Sequence, residues 1–147
     1  MKNNPNVSKK IQERLLNLLE KYRVYLVYIP LVLYGIILVI LTILPENDAI
    51  KSNSPDKFYH FGAYGLLSFI LYFTLFFQNK ILIFKKYTAV FTLLFTSLFG
   101  TLNELNQIFI PGRSANIFDV IANFLGSLLT VLIIKFSFKV LKNWNEF

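Results

Sequence analysis

The stretch NELNQIFIPGRSANIFDVIANFLG, residues 103–126, decides the fold. It joins two long apolar runs through a short turn and sets Glu104, Gln107, Arg113, Asp119 and Asn123 between them. Pro111 presets φ at the second corner of that turn, and Gly112 supplies the positive φ of a type II turn. Asn116 is placed to cap the next helix, with Asp119 in its first turn near the positive end of the dipole. The stretch therefore reads as a helical hairpin whose mouth carries acid, amide and guanidinium groups. Hydrocarbon cannot solvate such groups, so their density beside apolar runs calls for a cause.

Composition sets the solvent. Of 147 residues, 55% are hydrophobic and 16 are Phe, the mean hydropathy is +0.54, and the apolar residues fall in long uninterrupted blocks. That pattern predicts one all-α integral membrane domain. The chain has no cysteine, which excludes disulfides, thiolate metal sites and cysteine nucleophiles. A net charge of +7 would suggest nucleic acid in a water-soluble protein. In a membrane protein its distribution matters more.

Four spans are expected. Residues 1–23 form a basic cytoplasmic amphipathic segment, with Ile11, Leu15, Leu18, Leu19 and Tyr22 at helical spacing. The membrane domain covers residues 24–138. Its first span, Val24 to Leu44, is 21 residues without a charge, about the length the hydrocarbon core requires, and Pro30 and Gly35 are candidates to bend it. Ser54-Pro55-Asp56 has the cap, proline and acid of a helix start, and the second span runs from there to about Phe77. Asp56, His60, Tyr64 and Ser68 share one of its faces, while Gly62 and Gly65 admit a close neighbour. The third span, roughly Tyr87 to Ile108, lines up Thr96, Gly100, Glu104 and Gln107. The fourth, Ile117 to about Phe138, lines up Asp119, Ala122, Asn123, Gly126 and Thr130, with Ala122 and Gly126 as a small-xxx-small pair. Residues 139–147 form a short basic cytoplasmic tail.

Lysine and arginine give the orientation. Twelve fall in the amino-terminal segment, the second loop and the carboxyl-terminal end, against three in the first and third loops. The positive-inside rule places both termini in the cytoplasm. The polar mouth then opens outward, away from nucleic acid.

Taken singly, the polar residues have ordinary explanations: Asp56 and Asp119 suit helix N-termini, and Arg113 suits a charge pair that docks the turn. Glu104 and Asn123 lie inside spans, where capping does not account for them. An ionisable group there costs roughly 2.5–3.5 kcal/mol on insertion scales. Over Asp56, Lys57, Glu104, Arg113 and Asp119 the formal charge is −1, suited to internal pairing or to a cation or amine. A set of His60, Asp56, Glu104 and Asp119 has the donor types of a Zn²⁺ or Mn²⁺ site. One histidine and no tight ligand spacing argue against it, so neither metal nor cofactor is expected. Catalytic residues are left unassigned.

Two motifs carry a resemblance. DKFYHFGAYGLLSF at residues 56–69 and ELNQIFIPGRSANIFDVIANFLG at residues 104–126 resemble the VanZ-like family, small bacterial membrane proteins named after a teicoplanin-resistance determinant. The matching positions are Asp56, Lys57, His60, Phe61, Tyr64, Glu104, Gln107, Phe109, Pro111, Arg113, Asp119, Asn123 and Gly126. Many members carry a second glycine where this chain has Thr130. The resemblance implies a multi-span protein of the bacterial cytoplasmic membrane. For some members it also implies glycopeptide resistance without altered peptidoglycan precursors. It supplies no established reaction. The expected partners are the bilayer and, at the mouth, a lipid headgroup, cell-wall intermediate or glycopeptide. The expected binding set is Asp56, Lys57, His60, Tyr64, Glu104, Gln107, Arg113, Asp119 and Asn123, with Gly62, Gly65, Gly100, Ala122 and Gly126 as packing positions. The rival expectation is a membrane-embedded hydrolase or transferase acting on a lipid-linked substrate.

Overall fold

A computed structural model describes residues 24–44 and 56–144, with positions 14, 21 and 22 besides. Apart from those three positions, the expected amphipathic segment of residues 1–23 lies outside the described residues, as does the Ser54-Pro55 helix start. Every described element is helical. A π-helical turn, Val24–Tyr28, runs into α1 (Ile29–Ile43), followed by α2 (Asp56–Phe77), the short α3 (Leu82–Lys86), α4 (Thr88–Gln107) and α5 (Ile117–Trp144). Four of these helices are long and apolar enough to cross a membrane, over Tyr25–Ile43, Lys57–Phe77, Thr88–Gln107 and Ile117–Leu141.

The burial pattern is that of a protein dissolved in hydrocarbon. On α4 the buried residues are Thr88, Thr92, Thr96, Gly100, Asn103, Glu104 and Gln107, while Val90, Leu94, Leu98 and Leu102 are more than half exposed. A water-soluble helix turns its apolar face inward; here lipid accepts that face and the small and polar residues pack. The buried threonine hydroxyls satisfy themselves within the helix. Thr92 Oγ1 donates to the Thr88 carbonyl at 2.8 Å, and Thr96 Oγ1 to that of Thr92 at 2.8 Å. Such back-bonding lets threonine enter an apolar medium without an orphan donor.

The centre of the bundle is the crossing of α2 and α5. A Cβ on Gly126 would collide with the backbone of Phe61, and one on Gly65 would lie 3.1 Å from Thr130 Oγ1 and 3.4 Å from the Gly126 carbonyl. Thr130 therefore joins the contact that a second glycine would otherwise open. Ser127 fastens the same crossing, donating to the Asn123 carbonyl at 2.9 Å and the Tyr64 carbonyl at 3.4 Å. Ala122 is buried. Gly62 departs from expectation. It faces outward, and a Cβ there would meet nothing within 4 Å, because the crossing uses the face of Phe61 and Gly65.

Helix α1 lies against α2 through Leu31, Tyr34 and Leu38, which pack on Ala63, Tyr64 and Leu67. It contributes one polar tether, Tyr34 Oη donating to the Ala63 carbonyl at 3.0 Å. Pro30 stands in its first turn, directly after the π-helical stretch, where its missing N–H breaks the regular hydrogen-bond ladder. No Cβ contact forms at Gly35. The apolar ILIF segment between the second and third spans begins the short α3. Gln78 closes the turn before it, accepting from the Ile81 N–H at 2.8 Å and donating to the Ile81 carbonyl at 2.7 Å. Helix α5 continues past Phe138 to Trp144; its lysines are good helix formers and no Gly or Pro stops it.

Candidate functional site

The hairpin turn forms as its sequence dictates. Arg113 N–H donates to the Ile110 carbonyl at 3.1 Å, closing a turn over Pro111 and Gly112, and Gly112 has φ 82°. That angle requires glycine here. Asn116 then caps α5, its Oδ1 accepting from the Phe118 N–H at 3.0 Å. The remaining half of a capping box comes from the neighbouring helix. Glu104 Oε1 on α4 accepts the Asn116 backbone N–H at 2.7 Å, the task usually given to an acid at the third helical position. Asp119 occupies that position and stands instead beside His60 and Glu104.

Three helix ends meet at this place: the start of α2, the end of α4 and the start of α5. Lys57, exposed on α2, puts its ammonium 5.9 Å from the centre of the Phe118 ring on α5, a cation–π contact between the two helix starts. One turn further in, His60 Nδ1 lies 3.1 Å from Asn123 Oδ1. His60 is half-buried, whereas Glu104, Asp119 and Asn123 are 3%, 5% and 2% exposed. His60, Glu104 and Asp119 each present one ligand-type atom, and these three atoms lie within 4.8 Å of one another. Tyr64, the next residue on the His60 face, is buried with its hydroxyl accepting from Asn103 Nδ2 at 3.0 Å. Gly100 makes room for both neighbours: a Cβ there would fall 2.9 Å from Tyr64 Cε1 and 3.1 Å from Asn123 Nδ2.

Thus His60, Tyr64, Glu104, Asp119 and Asn123 converge from three helices. Gln107 is buried on the same face of α4. Asp56 opens α2, and its side chain lies outside the described residues. Arg113 belongs to the turn rather than to a helix. Its Nε is buried and has no hydrogen-bond partner among the described residues, and the same holds for Asn123 Nδ2. Two contributors to the site are absent from the expected binding set, Asn103 and the backbone of Asn116. Asn103 sits three residues after Gly100 and four before Gln107, so the spacing that marks its neighbours marks it too. The Asn116 contact depends on how far the turn folds back, which no spacing rule gives.

The arrangement offers an imidazole and two carboxyl groups within a segment otherwise built for lipid. It can hold a cation between imidazole and carboxylates. No curated protein and no solved structure matches the chain. Residues 31–139 match the family model described as VanZ/LLP1, and the chain belongs to that family.

Proposed function

We propose that this protein works in the bacterial cytoplasmic membrane with both termini inside, and that its polar cluster opens to the outer face. There it receives the phosphate- or carboxylate-bearing group of a lipid, cell-wall intermediate or glycopeptide, and through that binding contributes to protection against teicoplanin. The charge asymmetry of the loops supports the orientation. The observation that carries the binding role is Arg113, whose buried Nε has no partner among the described residues. A guanidinium on a rigid Pro-Gly turn between α4 and α5 is suited to a phosphate or carboxylate arriving from outside. The test is teicoplanin susceptibility of a sensitised host carrying Arg113→Ala, read together with membrane abundance. Protection should be lost at normal abundance; retained protection contradicts the reading.

A second reading, a membrane-embedded hydrolase or transferase acting on a lipid-linked substrate, has one specific observation in its favour. His60, Glu104 and Asp119 stand close enough for one to pass a proton to or from a group bound between them. Turnover of a lipid-linked substrate that disappears in Glu104→Gln, with the fold kept, would favour it over simple binding.

A further inference from the structure

We infer that His60, Glu104 and Asp119 form a binding site for one divalent cation of the Zn²⁺ or Mn²⁺ class. The inference deepens the receptor reading and rests on it only in placing a ligand at this end of the bundle. The donor set selects the ion. One imidazole nitrogen and two carboxylates suit borderline-to-hard divalent ions, and the chain offers no thiolate to draw softer ones. The three ligand atoms lie within 4.8 Å of each other. A tetrahedral ion with bonds of roughly 2.1 Å needs ligand atoms about 3.4 Å apart, so binding draws them in by at most about 1.4 Å.

The surroundings orient the ligands as metal sites require. Asn123 Oδ1 faces His60 Nδ1 at 3.1 Å; an amide oxygen only accepts, so the imidazole proton sits on Nδ1 and the lone pair on Nε2. Glu104 Oε1 is held by the Asn116 N–H at 2.7 Å, which fixes the direction of its carboxylate. Neither interaction belongs to the ligand set itself. Asn123 is 2% exposed, so the amide that orients the imidazole is itself fixed by burial. Three protein ligands leave at least one coordination position open, as in sites where the ion meets a substrate or a water. An ion there would supply the positive charge that a phosphate or carboxylate oxygen needs in a low-dielectric setting.

The test uses the full chain in detergent, without an affinity tag, stripped with a chelator and titrated with Zn²⁺ and with Mn²⁺ by calorimetry. One ion should bind per chain. Asp119→Asn and Glu104→Gln, which keep side-chain shape, should each weaken binding at least 100-fold, and Asn123→Ala about 10-fold, with helicity by circular dichroism unchanged in the two isosteric variants. Failure of the helical parent to bind either ion would overturn the site, as would parental affinity retained in both isosteric variants. The receptor reading is scored separately. Protection lost in Arg113→Ala with no ion bound removes the ion alone. One ion bound with Arg113→Ala still protective removes the receptor alone.

Discussion

The two ends of this bundle are built by the same helices from opposite materials. At one end Tyr72, Phe73, Phe76 and Phe138 stack and tilt against one another with ring centres 5.6–6.5 Å apart, over a buried base of Val131 and Ile134. Phe84, Phe91 and Phe95 form a second set at 4.7–5.8 Å. At the other end the same α2, α4 and α5 bring together His60, Asn103, Glu104, Asp119 and Asn123. Aromatic packing is complete in itself, because every surface meets a partner or lipid. The polar end incurs the desolvation of two carboxyl groups, and lipid-soluble substitutes would spare it that cost. A protein that needed only to hold four helices together had a working solution at hand and used it at one end alone. That contrast supports the proposal that the polar end serves binding rather than adhesion.

The largest expected effect lies between the ends. Gly126→Val would drive side-chain atoms into the Phe61 backbone and force α2 and α5 apart, a loss of about 3 kcal/mol or more. Membrane abundance and Tm in detergent should both fall sharply, and both ends of the bundle should fail together. If Gly126→Val accumulated normally, the crossing would not be the centre of the fold.

A smaller effect is expected from Tyr72→Ala at the aromatic end. In a water-soluble core such a truncation costs about 3–5 kcal/mol. Lipid tails solvate the exposed surface here, which removes the transfer part and leaves lost packing on the order of 2 kcal/mol. Tm should fall while ion binding and teicoplanin protection per folded molecule stay as in the parent. Loss of ion binding in this variant would show that the two ends are coupled, and the contrast between them would break.

Part of this contrast is legible in the sequence. Pro111-Gly112 specifies the turn and Asn116 the cap because both depend on local dihedral preferences, which travel with the residue type. The four long helices follow from apolar runs of membrane length. The long-range part is not legible in the same way. His60, Glu104 and Asp119 lie far apart along the chain and come together only when three helices cross, so local spacing shows a single histidine and no ligand motif. Gly62 and Gly65 look alike as small residues, yet only the one facing α5 packs. Tyr34 carries no polar signal of its own because its partner is a backbone carbonyl on another helix. Periodicity says which residues share a face, not which faces meet.

The most direct measurement is the Tm of Glu104→Gln beside the parent, both stripped of metal in the same detergent. Glutamine keeps the Oε1 that accepts the Asn116 N–H and removes a buried carboxylate. If the polar end exists to bind rather than to brace, the variant should melt within about 2 °C of the parent or above it, as substitutions at binding sites often do. A fall comparable to that of Gly126→Val would contradict the account and make the cluster a structural brace.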